Sequence, residues 1–389
     1  MADYVTRGSL ARPRPFEDSR VAAYVRRLDW LLLGAVAALV GYGLWVVAGV
    51  TRDDVVGNEG YFVTRQGFSV ALGCVALVAA TAIDPAVYRR HKRVVFGLMI
   101  FLLLVVIVLG TEVRGSQRWL DLGFYRFQPS EFSKLLLVLF LAAFLADRGK
   151  RVAETRTVAA AVGFAAIPTA LVFLQPDIGT ALVYGAALAA VLFFAGARWT
   201  HLAVLAAIGA FVITFVLWLG PAAGIQILKP YQTARLTAFA NPENDPGGAG
   251  YNVDQSITAV GAGGLQGRGV AHATQTNLDY LPEHATDFIF ASLAEQRGFV
   301  GASILLLLYL LVIWRAIKIV AVARDAFAAT AAGAIAIVLL FQIFVNIGMT
   351  IGLAPVTGIP LPFVSFGGSA MVANLAAIGV LQAIAVRRR

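Results

Sequence analysis

Ten stretches of apolar residues, joined mostly by short polar segments, make up the greater part of this 389-residue chain. Each stretch is close to the ~20 residues that an α-helix needs to cross a bilayer. They cover residues 29–50, 63–83, 94–110, 131–147, 157–175, 178–197, 201–220, 287–314, 327–353 and 367–386. A soluble core could not bury a composition that is 59% hydrophobic and 14% charged, and barrel strands would be shorter. The sequence therefore predicts an all-α fold, a polytopic membrane helical bundle with about ten transmembrane helices.

The basic residues alternate between the two sides of these predicted helices. Most of the 31 lysines and arginines lie in segments that are cytoplasmic if the N-terminus is inside. This positive-inside bias predicts that both termini are cytoplasmic. We interpret residues 1–28 as a cytoplasmic tail and residues 29–389 as a single transmembrane domain. Topology thus explains the net charge of +9, and the expected contacts are membrane lipids rather than nucleic acid.

A large extracytoplasmic loop, residues 221–286, separates predicted helices 7 and 8. It carries the basic residues Lys229 and Arg235 and a glycine-rich run at 261–269. These glycines permit tight turns or close approach to a bulky substrate. The polar and acidic composition of the outer segments indicates that the function faces outward.

Asp287 lies at the outer mouth of the bundle, where a charge is costly and suggests a function. In one interpretation, Thr286 or Asp287 caps helix 8. In the other, Asp287 is a general base in an outward cavity. Small residues on the same helical face would turn Asp287 into the bundle and favour the second interpretation. They are Ala291, Ala294, Gly298 and Gly301.

The start of predicted helix 4 carries the sequence Gln128-Pro129-Ser130-Glu131. Its proline, with Ser130 as a possible N-cap, is typical of a helix beginning. Glu131 and Lys134 are three residues apart and can pair on one helical face. One interpretation is a capped helix with an internal salt bridge. The other is that Lys134 or Arg118 binds an anionic lipid group.

After Asn346 the sequence becomes rich in helix-breaking residues. Residues 352–369 contain three prolines and four glycines, with Ser365 among them. A continuous helix is excluded here. Irregular backbone at membrane depth must be buried in protein or line a polar cavity, so we expect a re-entrant or rim segment that closes the outward cavity.

Together these residues resemble the SEDS family of cell-wall polymerases, the RodA/FtsW/SpoVE group. The resemblance covers nearly the whole chain and rests on five motifs in order. They are Arg118–Leu120 with Phe127–Glu131, Gln175–Thr180, Gly261–Gly269, Leu281–Phe288 and Pro355–Ser369. Residues 273–276 and 356–362 are most similar to the RodA branch. Two positions depart from the pattern, because Ala285 stands where the family has histidine and Phe366 where it has tyrosine.

The resemblance implies a peptidoglycan glycosyltransferase that polymerises lipid II during cell-wall elongation and releases undecaprenyl pyrophosphate. Asp287 matches the family's essential aspartate, the implied base. The cationic candidates for the pyrophosphates are Arg65, Arg118, Lys134, Lys229 and Arg235. The other candidate substrate-binding residues are Gln128, Glu131, Glu283, Thr286, Asn346 and Ser365. A divalent cation, Mg²⁺ or Mn²⁺, could assist, although no dedicated metal cage is visible. The implied partner is a class B penicillin-binding protein, and the implied location is the bacterial inner membrane.

Three other interpretations remain open. A lipid II flippase or other transporter would also be a polytopic bundle with broken segments. A division polymerase of the FtsW type shares the motifs, and a non-catalytic scaffold would leave the outward charges unexplained.

Overall fold

A computed structural model of the protein describes residues 18–55, 57–113, 116–222, 224, 248–278 and 280–388. Lys229 and Arg235 therefore lie outside the described residues, as does most of the first half of the predicted large loop. Three described helices are short. They are α1 Asp18–Arg26 before the first apolar helix, α4 Pro85–Arg90 between two apolar helices, and α11 Thr274–Asn277 in the described part of the large loop. A longer loop helix, α10, spans Ala249–Gly263.

Among the described residues, ten apolar helices match the ten predicted runs, which confirms the predicted fold class. Eight of them are long and apolar enough to cross a membrane: α2 Trp30–Val50, α3 Tyr61–Ala82, α5 Lys92–Leu109, α6 Pro129–Ala146, α7 Thr155–Leu174, α12 Ile289–Val322, α13 Ala326–Thr350 and α14 Gly368–Val386. The other two are shorter: α8 Ile178–Phe194 and α9 Trp199–Thr214. A π-helical turn at Phe215–Leu219 extends α9.

Aspartate caps fix the beginning of several helices. The carboxylates of Asp29, Asp177 and Asp325 accept backbone N–H groups in the first turns of α2, α8 and α13, which satisfies donors that have no partner within the helix. The predicted cap at Ser130 is wrong. The N-cap of α6 is Gln128, without a side-chain cap, because the proline occupies the first helical position.

The loop between α5 and α6 contains a small antiparallel sheet that the sequence analysis did not predict. Its strands are β1 Thr111–Val113, β2 Ser116–Asp121 and β3 Arg126–Phe127, in the order β1-β2-β3. Strands this short give no clear alternating pattern in a sequence. The sheet leads directly into the start of α6.

The core of the bundle is formed by α6, α13 and α14, whose side chains are mostly buried. Alanine and glycine are frequent in α13 and α14, so neighbouring helices can approach closely. At the periphery, α9 buries none of its side chains. The polar residues that reach the centre of the bundle therefore come chiefly from the central helices.

A break at Gly298 divides α12 into two parts. Gly298 has φ 63° and ψ −164°, a conformation that only glycine adopts easily. The glycine-rich run fills the break with its backbone, and four hydrogen bonds join the two. In the first two, the N–H groups of Arg268 and Gly269 donate to the carbonyls of Glu295 and Gln296, respectively. In the other two, the N–H groups of Phe299 and Val300 donate to the carbonyls of Gly264 and Leu265, respectively.

This break explains the glycine-rich run and corrects the predicted helical face. A Cβ atom at Gly298 would lie 2.6 Å from the carbonyl oxygen of Leu265, so the close approach is between two backbone segments. Because α12 begins at Ile289 and breaks at Gly298, Asp287 lies before the helix. Its position is therefore set by the preceding turns and their contacts, and not by the small residues of α12.

Candidate active site

The segment Leu281–Phe288 is a series of turns. Phe288 is the N-cap of α12 and its side chain makes no cap hydrogen bond, so the interpretation of Thr286 or Asp287 as the N-cap is wrong. The hydroxyl of Thr286 instead donates to the Glu283 carboxylate at 2.8 Å. Glu283 has φ 57°, which is uncommon for a residue other than glycine. Its carbonyl accepts the N–H groups of Thr286 and Phe288, each at 3.1 Å, and these bonds hold the unusual turn.

Three consecutive carbonyls before α12 are bound by residues from the C-terminal part of the chain. The donors are the N–H of Phe366 to Ala285 (2.9 Å), the hydroxyl of Ser365 to Thr286 (2.6 Å) and the side-chain amide of Asn346 to Asp287 (2.9 Å). The backbone that carries Asp287 is therefore held at successive residues. The Asp287 side chain itself is half-buried.

The donor segment, residues 351–367, lies between α13 and α14 and is non-helical, as predicted. Several of its buried polar groups form hydrogen bonds within the segment or with the surrounding helices. The Leu361 N–H donates to Ser365 Oγ at 2.8 Å, and the Pro362 carbonyl accepts the hydroxyl of Tyr309 at 2.5 Å. The amide of Gln66 donates to the Ser365 carbonyl at 3.0 Å. This buried, bonded backbone meets the requirement for irregular structure at membrane depth.

Asn346 is the central link of this arrangement. It is fully buried, and its amide nitrogen donates to the carbonyls of both Asp287 and Ile359 (2.9 and 2.8 Å). Asn346 Oδ1 has no hydrogen-bond partner within the described part of the chain. A buried polar atom of this kind is uncommon and marks a strained or functional position.

His284 connects the segment between α2 and α3 to the same turn. Its Nε2 lies 3.1 Å from both carboxylate oxygens of Asp54, in the segment between α2 and α3. The His284 carbonyl accepts the hydroxyl of Ser292 at 3.3 Å. The described contacts of His284 therefore hold the turn in place.

Glu131 and Lys134 form the predicted pair, and it is buried. Lys134 Nζ lies 2.7 Å from Glu131 Oε2 and donates to Gln342 Oε1 at 3.0 Å. Beside them is a cavity of about 20 Å³ that Asn374 also lines, room for about one water molecule. The lysine charge is therefore already neutralised by a carboxylate inside the bundle.

The other predicted site residues lie at separate positions. Arg118 binds the turn between α7 and α8, with its guanidinium on the carbonyls of Gln175 and Pro176 and 3.7 Å from Asp177. Arg65 is exposed near the beginning of α3, and its guanidinium lies 4.6 Å from the centre of the Tyr61 ring. Arg65 immediately precedes Gln66, the residue that binds Ser365.

Gln128 joins the start of α6 to the start of α14. Its N–H donates to Ser369 Oγ at 2.8 Å, and its side chain donates to Ser130 Oγ at 3.2 Å. Tyr125 donates to the same Ser369 hydroxyl at 3.4 Å. Burial raises the pKa of Tyr125 above its usual value, so the phenol stays protonated at neutral pH.

Several residues with structural importance for the site were not singled out from the sequence. Gln66, Gln342 and Asp54 bind the C-terminal segment, Lys134 and His284 respectively. A polar side chain inside an apolar run, as at Gln66 and Gln342, was the available signal. No group of three or more His, Cys, Asp or Glu side chains that could hold a metal ion occurs among the described residues, and we assign no metal ligand.

The fold is that of a polytopic membrane protein. Its candidate site is a carboxylate, Asp287, whose backbone is held beside the non-helical segment 351–367. Residues 27–389 match the cell cycle protein family FTSW_RODA_SPOVE. The chain belongs to this family.

Three comparisons describe the likeness. Peptidoglycan glycosyltransferase MrdB of Escherichia coli (strain K12) is 38% identical over 362 residues, which cover 93% of this chain and 94% of the relative. One solved structure, described as the structural coordination of polymerization and crosslinking by a peptidoglycan synthase complex, gives a TM-score of 0.78 at 30% identity, over 92% of this chain and 97% of the other. The crystal structure of Thermus thermophilus rod shape determining protein RodA gives 0.69 at 27% identity, over 93% and 97%.

Proposed function

We propose that this protein is a peptidoglycan glycosyltransferase that polymerises lipid II into glycan strands during cell-wall elongation. Its family membership and the name of its 38% identical relative support the activity. The likeness to a rod shape determining protein supports the role in elongation. The observation that carries the assignment of the site is the binding of three successive carbonyls around Asp287.

In this mechanism, Asp287 is the general base. The 4-hydroxyl of an incoming lipid II sugar attacks the anomeric carbon of the growing strand and gives its proton to the Asp287 carboxylate. The bond from that carbon to the pyrophosphate breaks, and undecaprenyl pyrophosphate leaves with the electron pair. A base must stay within hydrogen-bond reach of the proton it accepts, and catalytic geometry depends on side chains and backbone that are held firmly. The donors from Phe366, Ser365 and Asn346 supply that support.

The departing pyrophosphate needs positive charge nearby. Arg118 and Lys134 are engaged with the chain's own carbonyls and carboxylates. We therefore assign the pyrophosphate contacts to Arg65, which is exposed, and to Lys229 and Arg235 of the large loop. Glu131, Gln128, Glu283, Thr286, Asn346 and Ser365 then act by holding the site rather than by contacting the sugar.

The membrane orientation follows from the basic segments. With the positive residues inside, both termini are cytoplasmic and Asp287 faces outward, on the side where the glycan strand grows. The similar structure of a peptidoglycan synthase complex supports a partner that crosslinks the strands, namely a class B penicillin-binding protein.

A transporter of lipid II is the competing function. Discontinuous helices such as the one broken at Gly298 are common in transporters, where the break lines a substrate site. Here the freed backbone groups at the break bind the glycine-rich run instead. This arrangement favours the polymerase.

The decisive experiment uses the purified chain in detergent with lipid II, alone and with its penicillin-binding protein, and analyses the products on a gel. We expect glycan strands, and more of them with the partner. The same preparation in lipid vesicles tests transport. Movement of lipid II across the vesicle membrane without any glycan product would favour the transporter and contradict this assignment.

A further inference from the structure

An open apolar groove lies at the end of the bundle opposite Asp287. It has a volume of about 540 Å³. Its walls include Val25 and Leu28 from α1 and the turn after it, Leu33 from α2, and Leu77 and Val78 from α3. The groove lies where α2 begins and α3 ends, on the face that we propose to be cytoplasmic. We call it the inner groove.

The polar atoms along the inner groove are bonded within the protein. The hydroxyl of Thr81 donates to the Leu77 carbonyl at 2.7 Å, and that of Tyr24 donates to the Thr81 carbonyl at 2.6 Å. The side chain of Gln382 bonds to both the N–H and the carbonyl of Asp29 (2.9 and 3.0 Å). Because these groups need no further partner, the groove suits a hydrocarbon chain.

Basic residues lie next to the groove-lining residues in the sequence. Arg26 and Arg27 are exposed and lie between the lining residues Val25 and Leu28. Neither forms an ion pair within the residues that the structure describes. Arg388 is also exposed at the end of α14, and the exposed indole of Trp30, 58% accessible, suits the membrane interface.

We propose that the inner groove binds one acyl chain of an anionic phospholipid, with the lipid phosphate against Arg26 and Arg27. Apolar burial holds the chain, and each basic residue near a membrane surface adds attraction for an anionic headgroup. Basic pockets between helices on the cytoplasmic side are a recurring form of lipid site. A neutral phospholipid would lack the second contribution.

The test is native mass spectrometry of the full chain in detergent, titrated with phosphatidylglycerol or phosphatidylcholine. The wild-type protein should retain one phosphatidylglycerol in preference to phosphatidylcholine. The double variant Arg26→Gln, Arg27→Gln should bind phosphatidylglycerol about thirtyfold more weakly, with phosphatidylcholine unchanged. The variant Val78→Trp fills the groove from its lipid-facing side and should abolish retention of both lipids. Its thermal unfolding in detergent should match that of the wild type.

A matched control removes two exposed arginines elsewhere on the same membrane face. The double variant Arg151→Gln, Arg156→Gln, at the connection between α6 and α7, should bind phosphatidylglycerol like the wild type. An equal loss in this control would contradict the proposal, because the attraction would then be non-specific. Retention of both lipids in Val78→Trp would also contradict it. A protein dimer that this variant abolishes would show instead that a second copy of the chain occupies the groove.

Discussion

The amide of Asn346 offers the sharpest test of how the Asp287 turn is held. In Asn346→Leu, the carbonyls of Asp287 and Ile359 both lose their donor, while the branched shape and the number of side-chain heavy atoms are kept. Each buried acceptor left unpaired costs about 1–3 kcal/mol, so the loss of the donor to two carbonyls should lower the free energy of unfolding by about 2–6 kcal/mol. A displaced catalytic group can slow a reaction about a hundredfold. We expect a loss of that order in glycan polymerisation by the folded variant.

Gln382→Leu is the matched control for this prediction. Gln382 is also fully buried and also makes two hydrogen bonds to backbone, those to Asp29 at the opposite end of the bundle. Both variants should unfold at a lower temperature in detergent. Only Asn346→Leu should lose polymerisation from lipid II, measured well below both unfolding temperatures. Wild-type activity in Asn346→Leu, or an equal loss in Gln382→Leu, would refute the positioning argument.

Three further predictions concern the bundle. Gly298→Ala should destabilise the protein by about 1–3 kcal/mol, because its φ of 63° strains any other residue; wild-type thermal stability would contradict this. Burial alone would raise the pKa of Asp147. The hydrogen bonds from Lys92 and Arg89 have the larger combined effect, so the pKa lies below its usual value of 3.8. The resulting stability is present above that value and lost on acidification below it, so thermal unfolding of Asp147→Asn should depend less on pH between neutral and strongly acidic conditions. Glu131→Leu leaves a buried lysine charge and should cost about 3–5 kcal/mol, whereas the double variant with Lys134→Leu should recover most of that loss; equal unfolding temperatures for the single and double variants would argue against it.

The membrane helices could be predicted from the sequence because lipid exposure imposes long apolar runs. All ten positions were recovered, and so was the non-helical segment after Asn346, since proline and glycine mark it directly. The small sheet before α6 was missed because its strands have two to six residues. Such short strands are formed by pairing with one another and have no periodic pattern of their own.

The sequence predicted several residues of the candidate site, but not the hydrogen bonds that join them. Asp287, Asn346 and Ser365 were singled out separately, and only the fold shows that they meet through backbone carbonyls. Spacing alone could not reveal this, because the partners are up to 79 residues apart. The break at Gly298 was missed because an apolar run does not reveal where a helix loses its hydrogen bonds.

The most direct test of the central claim compares two carboxylate-to-amide variants at the same end of the bundle. Asp287→Asn and Glu59→Gln each remove one negative charge, and Glu59 lies in the exposed loop between α2 and α3, paired with Arg52 at 3.6 Å. The initial rate of glycan polymerisation from lipid II is measured for both, with the proposed partner, a class B penicillin-binding protein, present. We predict that Asp287→Asn is inactive while remaining folded, and that Glu59→Gln works at the wild-type rate. Glycan synthesis by Asp287→Asn at the wild-type rate would contradict the role of Asp287 as the base.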